Sequence, residues 1–190
     1  MVLELTDWGF SRLIWDNKFR MIYEVKVTDC KLVTSLMVAN LNDNGQDFDF
    51  TAVMFNHFRV PDVRDVKISG LDKCFSNKNT SSYTNIGKIM ADQNKEFEKH
   101  CPKIRSSDEH HIKFIEKETN KPKVIAVRKK SNSPDTLIWN PWAEKARKLP
   151  DFGDEEYLEM ICVGVGCKFE KRVLKAGESF VAKQEFEEIL

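Results

Sequence analysis

The chain has no surplus of either charge: its 190 residues carry 30 Lys and Arg against 30 Asp and Glu. A domain that holds nucleic acid or an anionic membrane by its field shows a basic excess, and that global term is missing here. Long apolar runs are missing too, since no stretch approaches the ~20 residues of a transmembrane helix. The first seven residues include Glu4 and Asp7 and no base, unlike a secretory leader. These absences predict a cytoplasmic protein with no nucleic-acid partner and no membrane partner. Paired cysteines are also lacking. Cys30, Cys74, Cys101, Cys162 and Cys167 are odd in number and contain no Cys-x-x-Cys. That argues for reduced thiols and against a disulfide framework or zinc ribbon. His100, Cys101, His110 and His111 are metal-ligand types, but no closely spaced pair recurs, so no metal site is expected.

What the sequence does have is a period of two. Phe19, Met21, Tyr23, Val25 and Val27 alternate with Arg20, Ile22, Glu24, Lys26 and Thr28, as in a half-buried antiparallel strand. Residues 32–40 alternate again, with apolar residues on both faces. Asn42-Asp43-Asn44-Gly45 marks a turn. Residues 48–60 form a long Phe-rich strand and 63–71 another. Residues 76–82 read as an exposed loop, and 87–100 as a short helix with Ile89, Met90 and Phe97 on one side. Strands follow at 111–116 and 123–128, two helical turns at 143–149, and a continuous apolar strand at 157–165. Residues 167–174 and 179–186 make a closing pair around Ala176-Gly177. Many short strands, frequent turns and little helix predict one all-β domain over residues 1–190, an antiparallel β-sandwich. A sandwich alone carries no function.

Two segments are more specific. One is Asp47-Phe48-Asp49-Phe50-Thr51-Ala52-Val53-Met54-Phe55-Asn56-His57-Phe58-Arg59-Val60-Pro61-Asp62. The other is Asp135-Thr136-Leu137-Ile138-Trp139-Asn140-Pro141-Trp142-Ala143-Glu144-Lys145-Ala146, followed by Asp151-Phe152-Gly153-Asp154 and Met160-Ile161-Cys162-Val163. Together they resemble the glucose-6-phosphate 1-epimerase family of the aldose 1-epimerase, or galactose mutarotase-like, superfamily. The resemblance implies a mutarotase-type sandwich, a hexose or hexose phosphate ligand and no cofactor. It also implies that Met1 falls where the family sandwich has already begun. The segment before it would supply several strands and basic residues that hold the sugar phosphate. Trp8-Gly9-Phe10-Ser11-Arg12 echoes a family motif, but its flanks match a later segment.

Mutarotation needs a base to take the anomeric hydroxyl proton and an acid to protonate the ring oxygen. By the resemblance the acid is a His at the position of Phe55 and the base a Glu at the position of Gly164. Neither Phe nor Gly transfers a proton, and each such group is worth ~10²–10⁴ in rate. His57, two residues along the same strand face, is a substitute acid. Asp108 matches a sugar-contacting Asp of the family and is a substitute base. The residues two away from Gly164 along the chain, Cys162 and Gly166, offer no carboxylate. Asp108, His57, Arg59 and Trp139 are the expected sugar contacts, and Trp139 and Trp142 read equally well as core anchors.

The expectation is therefore a mutarotase-like protein that has lost catalysis and acts as a binding or protein-interaction module. The alternative is an active hexose-6-phosphate 1-epimerase with relocated groups. A sandwich short of strands leaves a sheet edge open. That predicts a homodimer or an obligate protein partner across the uncovered sheet, unless residues 87–100 fold over it as a lid.

Overall fold

The computed structural model describes residues 1–71, 83–101, 108–131 and 135–189. The loop expected at 76–82 lies outside the described residues, as do Cys74 and the side chains of His100 and Cys101. Two antiparallel sheets face each other. The larger has eight described strands in the order β1-β2-β3-β12-β9-β8-β5-β6. They are β1 (Val2–Thr6), β2 (Phe19–Val27), β3 (Lys31–Asn40), β5 (Lys67–Ser69), β6 (Tyr83–Asn85), β8 (Glu109–Ile115), β9 (Pro122–Ser131) and β12 (Ser179–Glu188). The smaller has the order β4-β11-β10-β7, formed by β4 (Phe48–Arg59), β7 (Phe97–Cys101), β10 (Asp135–Asn140) and β11 (Met160–Leu174). The expected antiparallel sandwich is what the chain forms.

Alternation decides which face each strand buries. On β2 the row Phe19, Met21 and Tyr23 turns toward the small sheet and packs with Val38, Phe48, Met54, Val165 and Phe180. A second cluster joins Ile68, Ile112 and Val127 of the large sheet to Ile138, Ile161 and Val163 of the small one. Polar residues also cross between the sheets, but paired, since an unpartnered buried amide costs free energy. Asn56 and Gln184 exchange amide hydrogen bonds at 3.0 and 2.8 Å, and Gln184 donates to Thr34 Oγ1 at 2.9 Å.

Local chemistry and tertiary pairing redraw four sequence-based boundaries. Residues 63–71 open with a 3-10 turn, Val63–Asp65, because the Asp62 carboxylate caps the Arg64 N–H at 2.9 Å, and the strand shrinks to β5. Residues 87–100 are not one helix. Helix α2 (Ile86–Gln93) ends at Asn94, a left-handed cap with φ 48°, and β7 then pairs with β10. Residues 157–159 belong to the 3-10 turn Glu156–Glu159. The strands expected at 157–165 and 167–174 fuse into β11, with an irregularity between Cys167 and Arg172. Helix α1 (Gly9–Ile14), between β1 and β2, buries no residue, so no apolar period announced it. Helix α3 (Trp142–Ala146) overlaps the helical turns expected at 143–149, beginning one residue earlier and ending at Ala146.

Candidate functional site

The small sheet turns one face to the large sheet and the other outward. Register places the outward rows. Phe55 lies opposite Gly164, which lies opposite Leu137; His57 lies opposite Cys162, then Trp139, then Glu98. Phe55 and Gly164 are thus direct cross-strand partners. A Cβ built on Gly164 would stand 2.9 Å from Val53 Cγ1 and 3.1 Å from Phe55 Cδ1. Apolar carbon therefore fills the space above Gly164, and no titratable group stands at either position. Cys162 in the next row is fully buried, which pushes its thiol up to about 12 and leaves it unable to act as nucleophile or base near neutral pH.

Beside this pair lies a cleft of about 290 Å³ lined by Phe55, His57, Glu96, Trp139, Lys145 and Lys168 among others. The His57 and Trp139 rings meet edge-on with centroids 6.2 Å apart. On its other side Trp139 donates its indole N–H to Glu96 Oε1 at 2.9 Å, and Lys145 Nζ donates to the same oxygen at 2.6 Å. Burial works against ionisation of Glu96, but these two donors outweigh it and hold its carboxyl below the usual range. Lys168 Nζ bonds Glu98 Oε1 at 3.0 Å. A wider hollow of about 570 Å³ continues past His57 and Trp139 to Arg59, Phe152, Glu156 and Glu159. Arg59 reaches Glu159 at 3.4 Å with its side chain 89% exposed.

The structure brings His57, Trp139 and Arg59 to one face, with Phe55 and Gly164 beside them. It places Asp108 elsewhere: exposed, at the start of β8 in the other sheet, its carbonyl accepting from the Lys129 N–H at 2.7 Å. Trp142 is a core anchor. It is buried, packs on Tyr157 and donates its indole N–H to Asn94 Oδ1 at 2.8 Å. Asn140 explains the Trp-Asn-Pro-Trp block, since its amide donates to the Tyr157 and Met160 carbonyls and its Oδ1 accepts the Trp142 N–H. Sequence reasoning missed Glu96, Glu98 and Lys168. The residues two away from Gly164 offered no carboxylate, but carboxylates arrive across the sheet from Glu98 on β7 and from Glu96 just before it. Only the alternation Glu96, Glu98 before His100 hinted at a strand there. Among the described residues no group of three or more His, Cys, Asp or Glu could hold a metal ion. Nor is any helix among them long and apolar enough to cross a membrane.

The sequence profile described as Aldose 1-epimerase matches residues 2–187. This chain belongs to the aldose 1-epimerase family. A relative from Cenchrus ciliaris named "Putative glucose-6-phosphate 1-epimerase" is 29% identical over 171 residues, covering 88% of this chain and 50% of the relative. The chain therefore spans half the length of that curated relative. Among solved structures, a "putative mutarotase" from Salmonella typhimurium superposes with a TM-score of 0.75 at 18% identity. It covers 97% of this chain and 58% of its own. A galactose mutarotase-like protein from Lactobacillus casei gives 0.70 at 13% identity, over 99% of this chain and 69% of its own. These likenesses establish that the epimerase-family chain has the galactose mutarotase-like fold.

Proposed function

We propose that this aldose 1-epimerase family member binds a neutral hexose over Trp139 and does not catalyse its anomer exchange. One observation carries the reading: Phe55 covers Gly164, so apolar carbon occupies the two places where the family resemblance puts acid and base. The Trp139 indole, pinned by Glu96, offers a flat apolar surface to a pyranose, and Glu96 and Lys145 offer polar groups at its edge. The cleft's charges favour a neutral sugar over a phosphate. Lys145 pairs with Glu96, Lys168 with Glu98 and Arg59 with Glu159, while Glu156 adds a further acid. A phosphate would have to displace one of these carboxylates.

One observation favours the active alternative, since His57, Glu96 and Glu98 line the same cleft. Distance argues against it. His57 and Glu98 stand on strands three spacings apart, roughly 14 Å between backbones, with the Trp139 indole between them. The two positions that the resemblance assigns to acid and base, Phe55 and Gly164, are direct cross-strand partners, and groups set this much further apart do not reproduce that geometry, for which errors of ~1 Å already cost rate steeply.

Exchange spectroscopy on glucose 6-phosphate tests the catalytic half: anomer exchange should stay at the spontaneous rate at any protein concentration. Acceleration proportional to protein, abolished by His57→Ala, would overturn it. Tryptophan fluorescence tests the binding half. Glucose should quench saturably, glucose 6-phosphate more weakly, and Trp139→Ala should weaken glucose binding by roughly tenfold, about 1.4 kcal/mol. Equal response of wild type and Trp139→Ala would sink it.

A further inference from the structure

Among the described residues three other than glycine take a left-handed backbone: Asn94 at φ 48°, Asn120 at φ 53° and Trp142 at φ 55°. Asparagine visits this region readily, because its short amide bonds locally. A tryptophan there is an outlier, and such a conformation persists only where its surroundings over-determine it. Four restraints do so here. Pro141 enters the turn at φ −67°, the value its ring fixes. Asn140 Oδ1 accepts the Trp142 backbone N–H at 2.8 Å, and the buried ring packs on Tyr157. Last, the Trp142 indole N–H donates to Asn94 Oδ1 at 2.8 Å. Two of the three left-handed residues are therefore bonded to each other.

Each of these two also stands just before one half of a second contact. Glu96 is two residues after Asn94, and Lys145 is three after Trp142. Lys145 Nζ donates to Glu96 Oε1 at 2.6 Å, and the same oxygen accepts the Trp139 indole N–H at 2.9 Å. The two contacts are thus rungs between the same two segments, 94–96 and 142–145. The backbone at Trp142 sets the direction of helix α3. A right-handed value there, φ about −63°, would rotate the helix by roughly 120° about that bond and carry Lys145 away from Glu96.

We infer that Asn94 and Trp142 are positioning residues for the sugar cleft: their bond fixes the corner that brings Glu96 to Lys145, and through Glu96 it holds the Trp139 indole. This rests on the reading of Trp139 as the hexose platform. With the bond broken, Glu96 is free to leave the indole, and the indole gains rotamers that a bound sugar must remove. Ordering it then takes part of the binding free energy. A purely structural role for Asn94 makes a different prediction. Asn94 caps helix α2 in the left-handed conformation, and glycine fills that position with no steric cost. As a cap alone, Asn94→Gly would leave the cleft unchanged.

The test uses the whole chain with nitrogen-15 tryptophan, the Trp139 indole signal being assigned by its loss in Trp139→Phe. In the absence of sugar, Asn94→Gly should move that signal and speed its hydrogen exchange by about fivefold. Glucose affinity, read from the glucose-dependent movement of the same signal, should fall by about fivefold, which is roughly 1 kcal/mol. Asn94→Asp keeps the accepting oxygen and should restore both. Trp142→Phe keeps a ring and loses the donor, so it should match Asn94→Gly, and the two combined should add nothing further. Circular dichroism checks that each variant is folded. An unmoved Trp139 signal in folded Asn94→Gly would overturn the proposal. So would a moved signal with glucose affinity unchanged, since the bond would then not serve binding. A wild type that ignores glucose would sink the reading of the cleft and the binding role with it, while the sugar-free indole signal still decides whether this pair holds Trp139.

Discussion

Gly164 and Gly166 sit two residues apart on β11 and are crowded by different kinds of neighbour. The Cβ that Gly164 lacks would press on the side chains of Val53 and Phe55, while that of Gly166 would lie 2.0 Å from the Ala52 carbonyl oxygen. Side chains can be trimmed and backbone cannot. Gly164→Ala should therefore cost roughly 1–3 kcal/mol of stability, the usual range for overpacking. Most of that cost should vanish in a Val53→Ala, Phe55→Ala background. Gly166→Ala should cost at least as much and recover nothing in that background, with urea unfolding of the mutant series as the measurement. Equal rescue at both glycines would contradict the contacts described. The resemblance singled out Phe55 and Gly164 as the two altered positions. That they touch each other was not legible, because contact across strands depends on register.

His110 shows how an element is held in place. It points inward from β8, fully buried; its Nδ1 lies 3.0 Å from the Ser69 carbonyl and its Nε2 2.8 Å from Thr136 Oγ1 on β10. The carbonyl can only accept, so Nδ1 carries the proton and Nε2 accepts from the threonine. The residue thus ties the large sheet to the small one as a neutral imidazole. Burial is the main cause that lowers its pKa from 6.5 to about 4. The unfolded chain takes up this proton near pH 6.5 and the folded one only near 4. Folding stability from this group is therefore intact above about pH 6.5, falls as pH drops toward 4 and levels off below it. The loss is on the order of 3 kcal/mol. Urea unfolding at pH 7, 5.5 and 4 should show it, and His110→Gln should flatten this part of the profile while lowering stability at pH 7. An unchanged acid profile in that variant would mean that His110 is not the group responsible.

At the scale of the whole molecule the cleft and the apolar pair lie on the same outward face of the small sheet. Restoring two side chains should therefore not restore catalysis. Phe55→His with Gly164→Glu should leave glucose 6-phosphate anomer exchange at the spontaneous rate, because a Glu at 164 must first displace Val53, and the cleft's three cations already hold carboxylates. Protein-proportional exchange by the double variant would refute this. The sequence by itself determined the long strands, since period-two alternation at 19–27, 32–40 and 48–60 reflects one buried and one exposed face. It also carried the family, through the run at 47–62 and the Trp-Asn-Pro-Trp block. Tertiary structure alone decided that 97–101 is a strand, because pairing with β10 overrides the helical pattern that 86–93 begins. It alone brought Glu96 and Glu98 to Trp139, and set Asp108 on the other sheet. Side-chain alternation says which face a residue takes; only sheet order and register say which distant residue shares it.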